Sequence, residues 1–388
     1  MTEVRMGIIG IGNMGTAHAK ALDQGKVEGM RLTAVCDIDT SRLDWCKENL
    51  TGEIACFEDY KEMIASGLVD AILVAVPHYF HPVMALDGFK AGLNVLVEKP
   101  AGVYTKQVRE MNEAAEKSGK VFGIMFNQRT NPLFAKMREV VQSGELGELK
   151  RSVWVITSWY RTQRYYDSGS WRATWDGEGG GVLLNQCPHN LDLWQWIFGM
   201  PTEIFASCSI GKYHDIEVED DVTAMAKYAN GATGVFITTT GETPGTNRLE
   251  ITGSKGKLVY ENGHLMYSKL AKDERVYTFE TDEVFGDIEA ETVEIEVPGG
   301  VGEQHVGILK NFTNHILNGE ELLAPGVEGI NGLSIANAMI LSSFKNDWVS
   351  LPNDGEEFWA LLQEKIKTSR HKEDLGIVAD TSGTYGTN

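Results

Sequence analysis

Apolar and polar positions follow two regimes along the chain. Up to residue 126, short apolar runs are separated by stretches with helical spacing. "VRMGII" reads as a strand, and Ala17, Ala19, Ala21 and Leu22 mark the helix after it. "MRLTAVCDID" is a second strand, and "TSRLDWCKENL" is the next helix. "VDAILVAVP" (69–77) is a buried strand, "HPVMALDGFKAG" a helix closed by Gly92, and "LNVLVEKP" a further strand. "KQVREMNEAAEKSG" is a helix closed by Gly119, and "KVFGIMF" is the last strand of this regime. Strand and helix in regular turn predict a parallel, doubly wound α/β sheet, with ligands at the C-terminal strand ends.

From residue 127 the pattern changes. "NPLFAKMREVVQSGELG" is a helix ended by Gly144, and "KRSVWVITSWY" is a long strand. After a loop and a helix containing Leu191, Trp194 and Ile197, six strand signals run from 203 to 297: "EIFASCSIG", "DVTAMAKYA", "ATGVFITTT", "NRLEITGS", "GKLVYENG" and "ETVEIEVPG". Asn-Gly pairs at 230–231 and 262–263 mark turns between them. The helical patterns "EQHVGILKNFTNHILNG" and "VEGINGLSIANAMILSSFKNDW" follow. This predicts an α+β domain with a large, open, mostly antiparallel sheet. The expected division is a dinucleotide-binding Rossmann domain at 1–126 and a substrate-binding and oligomerisation domain at 127–388. The polar tail from about 353 is expected to pack outside the core. The first helix alone would not cover both sheet faces, so the open face is a natural oligomer interface.

With 388 residues there is material for two cores, and 42% hydrophobic and 23% charged residues are ordinary for a globular protein. The formal charge of −20 argues against nucleic acid or an anionic membrane surface as the main partner. Five cysteines, an odd number without C-x-x-C spacing, argue against a disulfide framework or a zinc site, so no metal is expected. The N-terminus goes straight into a strand, and no run of about 18 apolar residues occurs. A reducing cytoplasm fits these features.

The glycine-rich turn G-I-G-N-M-G holds Gly10, Gly12, Asn13, Met14 and Gly15 between the first strand and helix. Gly10 permits the tight turn, Gly12 admits a pyrophosphate and Gly15 lets helix meet strand. The helix N-terminus offers N–H groups to phosphate. Asp37 ends the second strand 22 residues after Gly15, where an acid can accept from both ribose hydroxyls and repel a 2′-phosphate. NAD is therefore the expected cofactor. Nearby Arg42 leaves NADP open, and a bare helix-capping role is the alternative for Asp37. Glu98 and Lys99 leave a central apolar strand directly before Pro100, at the edge where a nicotinamide would lie. The bond before Pro100 can be cis.

The segment "RTQRYYDSGSWRATWDGEGGG" is too long for a simple connector. Its aromatics can stack on a sugar ring and its arginines can reach hydroxyls or carboxylates, Trp171 and Arg172 above all. In the helical segment beyond it, Asn185, His189 and Asp192 share one face if the helix begins early enough, and Asp192 could fix the His189 tautomer.

G-I-G-N-M-G, E-K-P at 98–100 and G-G-G-V-L-L-N-Q-C-P-H-N-L-D around His189 together resemble the Gfo/Idh/MocA family over nearly the whole chain. The resemblance implies NAD or NADP, sugar or cyclitol substrates, and dimers or tetramers built through the open sheet. It implies hydride transfer between nicotinamide and a ring carbinol carbon, with Lys99 and His189 as the catalytic pair; the aromatic loop and the helix face add Trp171, Arg172, Asn185 and Asp192 as the expected substrate contacts. Many members carry an aspartate where this chain has Asn185. An amide cannot take a proton but can orient a hydroxyl. Two other readings remain: a glycosidase that oxidises transiently on a retained NAD, and a non-catalytic sensor of cofactor and sugar.

Overall fold

The computed structural model describes residues 2–370 and Lys372. The first sheet is built from β1 (Val4–Ile9), α1 (Asn13–Asp23), β2 (Met30–Cys36), α2 (Thr40–Asn49), β3 (Ala55–Phe57), α3 (Tyr60–Ala65), β4 (Ala71–Val74), α4 (Phe80–Lys90), β5 (Asn94–Val97), α5 (Thr105–Ser118) and β6 (Phe122–Ile124). Its six strands are parallel and ordered β3-β2-β1-β4-β5-β6. The order reverses between β1 and β4, which opens a crevice at their C-terminal ends. β4 and β5 are fully apolar inside because helices cover both faces. The pair β3 and α3 was not expected. A three-residue strand is too short to show a period.

The second part begins with α6 (Pro132–Gln142), β7 (Leu149–Ile156), α7 (Gln163–Tyr166) and α8 (Pro188–Phe198). The strands β8 (Glu203–Ile210), β9 (Glu219–Lys227), β10 (Thr233–Thr239), β11 (Asn247–Gly253), β12 (Gly256–Glu261) and β13 (His264–Leu270) follow. Then come α9 (Glu274–Glu280), β14 (Ala290–Glu294), α10 (Gln304–Asn318), α11 (Gly329–Lys345), β15 (Val349–Ser350) and α12 (Glu356–Ile366). The nine-stranded sheet has the order β14-β13-β12-β11-β7-β10-β9-β8-β15. Among the described residues only its β7–β10 pairing is parallel. Asn262 and Gly263 both have positive φ, as the tight turn between β12 and β13 requires.

One face of this sheet buries Trp154, Phe236, Ala224 and Leu249 beneath α6 and α8, with Trp194 packed on Phe236 at 5.3 Å between ring centroids. On the opposite face Val153, Val155, Val235 and Ile237 stay partly accessible, and Met225 is 51% exposed. α10 lies beyond the expected boundary at 126, yet it packs on the first sheet. Its Phe312 meets Gly123 of β6 and its Leu317 meets Gly29. α11 is buried between α5, α8 and β8, and so ties the two sheets together.

The expectation that everything from about 353 packs outside the core needs correction for α12. Its apolar residues lie one helical turn apart, which buries Phe358 and Leu362, and Trp359 stacks on Tyr104 at 4.1 Å. Residues 371 and 373–388 of that tail lie outside the described residues. Among the described residues no helix is long and apolar enough to cross a membrane, and no group of three His, Cys, Asp or Glu could hold a metal ion.

Candidate active site

The site lies at the C-terminal edge of the first sheet. Gly10 leaves β1 at φ +90°, and a Cβ there would stand 2.4 Å from the Ala75 carbonyl oxygen. A Cβ at Gly15 would stand 1.8 Å from the Gly10 carbonyl, so α1 crosses the strand this closely only with glycine. Gly12 differs. A Cβ there meets nothing within 4 Å, and no side chain caps α1. The first turn of α1, with Asn13 and Met14, thus presents its N–H groups beside open space. Asp37 Oδ2 accepts from Ile11 N at 2.6 Å inside this loop, and Oδ1 accepts from Asp39 N at 2.9 Å. The cap of α2 is Asp39, which accepts from Ser41 N, so capping is not the work of Asp37. An open cradle with a carboxylate at its rim fits a dinucleotide.

At the end of β5, Glu98 N continues the ladder to the Val74 carbonyl, and the Lys99–Pro100 peptide is cis. Glu98 is buried, with its carboxylate 2.6 Å from His18 Nε2 of α1. Burial alone would raise its pKa. The His18 hydrogen bond and the fields of His18, His305 and Lys99 outweigh that and hold it at about 2. Glu98 is therefore a buried carboxylate joining β5 to α1. Lys99 turns the other way and donates from Nζ to the Asn185 carbonyl at 3.0 Å. Burial lowers its pKa below the usual lysine value, against the opposing pull of Glu98 and Glu178.

α8 begins at Pro188, so Asn185 sits in the turn before it and His189 is its second residue. The His189 ring lies edge-on to Phe126, 6.4 Å between centroids. Burial, then the charge of Lys99, pushes its pKa well below 6.5, so the imidazole is neutral. Its Nδ1 has no hydrogen-bond partner among the described residues. Asp192 does not supply one, contrary to expectation. It holds Arg129 in a bidentate pair at 2.7 and 2.8 Å, both side chains only 1% exposed. Arg129 comes from the turn after β6, whose distance in sequence hid it. The Asp192 carboxylate is thus taken up by a buried ion pair with Arg129 rather than by His189.

The aromatic loop folds over the crevice. Arg172 lies between the rings of Tyr165 and Trp171, 4.5 and 4.6 Å from their centroids, and donates to the Tyr165 hydroxyl at 2.8 Å. Its Nε is buried and has no partner among the described residues. The first domain meets this loop directly. Tyr79 donates to the Trp175 carbonyl at 2.6 Å, and His78 packs edge-on to Trp171. Two buried acids hold the glycine run. Glu219 accepts from Gly181 N and Leu183 N at 2.8 and 3.0 Å, and burial raises its pKa to about 7. Glu178 accepts from Ala173 N at 2.6 Å and from the Asn185 side-chain amide. Neither acid was singled out from the sequence. The signal for Glu178 was a lone charge between Gly177 and Gly179.

Residues 4–126 match the oxidoreductase family with an NAD-binding Rossmann fold, and residues 134–259 match the GFO/IDH/MocA C-terminal domain. The myo-inositol 2-dehydrogenase of Thermotoga maritima is 31% identical over 267 residues, 67% of this chain and 75% of that protein. The WlbA dehydrogenase of Chromobacterium violaceum, solved with NADH and UDP-GlcNAcA, is 25% identical with a TM-score of 0.78, covering 91% of this chain and 97% of that one. Levoglucosan dehydrogenase, solved with NADH, shares the fold at 20% identity and a TM-score of 0.75, over 90% of this chain and 100% of its own. The NAD-binding fold, the E-K-P strand end and the glycine run before His189 converge on one conclusion: this chain belongs to the Gfo/Idh/MocA family of oxidoreductases.

Proposed function

We propose that the protein oxidises a ring hydroxyl of a sugar, glycoside or cyclitol to the ketone, with NAD as oxidant, and runs the reverse reduction on the same residues. The observation that carries this reading is the 3.0 Å hydrogen bond from Lys99 Nζ to the Asn185 carbonyl. It brings the end of β5 against the turn that leads into His189. Gly10, Gly12, Gly15 and Asp37 would hold NAD, with Asn13 and Met14 in the first turn of α1 beside them. When bound, NAD supplies the acceptor for the carbinol hydrogen and its electron pair.

His189, neutral because its pKa is depressed, takes the hydroxyl proton. Lys99 spends one ammonium proton on Asn185 and keeps two for the reacting oxygen. Trp171 offers its ring to the sugar, and the buried Arg172 Nε offers a donor that the described residues leave unfilled. The five cysteines are free, which supports a reducing compartment. Copies of the chain associate through the open face around Met225 as a dimer or tetramer.

The test is a panel of cyclitols, aldoses, glycosides and sugar acids incubated with NAD or NADP, followed by the absorbance of reduced nicotinamide. Stoichiometric reduced cofactor with one class is the expected result. Glycoside cleavage without net reduced cofactor would favour the retained-NAD glycosidase. No turnover in either direction with any member would overturn the oxidoreductase reading.

A further inference from the structure

Glu178 is an acid with no exposed role. It is 1% exposed, inside the run Gly177–Gly181, and both its oxygens are engaged. One takes the Ala173 N–H, and the other takes the Asn185 side-chain amide. Asn185 is itself fixed at its other end, where its Oδ1 faces the Tyr165 hydroxyl at 3.4 Å. The Asn185 carbonyl is the acceptor for Lys99 Nζ. A continuous hydrogen-bonded chain therefore runs from Glu178 through Asn185 to Lys99.

Charge runs the same way. Lys99 and Arg172 put two cations at the crevice; Glu98, bonded to His18, is the larger negative charge acting on Lys99, and Glu178 is the next. The other titratable groups facing Glu178 are Tyr165 and Tyr166 of α7, Glu219 of β9, His78 before α4 and Lys372. Of these only Glu219 is an acid. It is buried on the backbone of the glycine turn, with its pKa raised by burial to about 7.

We propose that Glu178 is a positioning residue of the catalytic centre: it fixes Asn185, and through the Asn185 carbonyl the Lys99 ammonium, and it adds its negative charge to that of Glu98 around that ammonium. The proposal rests on the role given to Lys99 above and adds the group that sets it. The mutual influence of the two groups agrees with it. Burial lowers the Lys99 pKa, and Glu98 and then Glu178 oppose it; burial raises the Glu178 pKa, and Arg172, the Ala173 and Asn185 hydrogen bonds and Lys99 oppose that. The chain Glu178–Asn185 also has a built-in control. Moving the carboxyl one step along its own hydrogen bond, in E178Q/N185D, keeps the charge near Lys99 while exchanging acid and amide.

The experiment titrates Lys99 itself in the full-length protein. Reductive carbon-13 methylation labels the lysines, and the Lys99 signal is the one missing from Lys99→Met. In Glu178→Gln the Lys99 midpoint should fall by about 1 pH unit or more, the usual effect of an opposite charge at short range. In E178Q/N185D it should return toward the wild-type value. With an oxidisable substrate in hand, kcat should fall about tenfold or more in Glu178→Gln with the NAD KM unchanged. The alkaline limb of kcat/KM should move with the Lys99 midpoint.

A merely structural role would leave the midpoint where it is. An unchanged Lys99 midpoint in folded Glu178→Gln overturns the proposal. If that variant does not fold, E178Q/N185D decides alone: a midpoint at or below the wild-type value supports it, and a rise of about 1 unit, the effect of an acid added beside a lysine indifferent to Glu178, overturns it. If the wild type oxidises no member of the panel, the dehydrogenase reading fails by itself, and the titration still decides the place of Glu178.

Discussion

Asp37 does two things at once. Its Oδ2 holds Ile11 N at 2.6 Å inside the glycine loop, and its charge faces the place where an adenosine ribose would lie. Asp37→Asn keeps an acceptor for the loop and removes the charge, so NAD should bind only modestly more weakly while NADP gains. Asp37→Ala removes both and should weaken both cofactors. Titrating NAD and NADP against the three proteins checks this, and an unchanged preference in Asp37→Asn would show that the carboxylate does not read the ribose.

The catalytic pair divides proton handling at one oxygen. Lys99→Met and His189→Ala should each lose about 10²–10⁴ in turnover. The double variant should lose less than the product of the two losses, and NAD affinity should barely move. The pH profile follows from the shifts. His189 is depressed well below 6.5, so its neutral form persists into mild acid and the acid limb of kcat/KM lies below that value. Lys99 is also depressed, so its ammonium is lost below 10.5 and the alkaline limb falls short of the usual lysine value. An acid limb at or above pH 6.5 that survives in His189→Ala would remove the histidine as base.

Among the elements, those with a full period were legible and those that depend on distant partners were not. The glycine turn, β5 and α8 could be read from local spacing, because turn chemistry and apolar period are local. The face shared by Asn185, His189 and Asp192 was misread because α8 starts at Pro188, three residues after Asn185. The partner of Asp192 is Arg129, 63 residues away and brought close only by the packing of α8 against the turn after β6. Glu178 stayed hidden for the same reason, since a charge in a glycine run looks solvated until the run is buried.

Arg129 also bonds Glu328 and the Leu323 carbonyl, so the pair joins three segments. Removing one partner from a buried ion pair leaves the other uncompensated, at about 3–5 kcal/mol. Asp192→Ala should therefore lower the denaturation midpoint strongly, while substrate KM in the surviving folded enzyme stays near wild type. A raised KM with unchanged stability would return Asp192 to the substrate site.

At the scale of the whole molecule, the described residues cover the nine-stranded sheet on one side only. α6 and α8 bury Trp154, Phe236 and Leu249, whereas Val153, Val155, Val235, Ile237 and Met225 form an apolar strip on the other side. Charged Arg151, Lys227, Arg248 and Glu250 stand on the same face around it. Apolar residues at the centre of a face with charge at its margin have the anatomy of a subunit interface. They lie on β7, β9 and β10 in the middle of the sheet, where an isologous two-fold contact would set the same strip against itself. Met225→Asp places a carboxylate at the centre of that contact on both subunits, and two desolvated like charges oppose association. Because Met225 is 51% exposed in the single chain, the monomer's own fold should be little affected. Light scattering after size exclusion should show a dimer or tetramer for the wild type and a smaller species for Met225→Asp, with the thermal unfolding of the first domain little changed. A wild-type monomer at working concentration, or a Met225→Asp variant of unchanged mass, would mean that the open face serves another purpose.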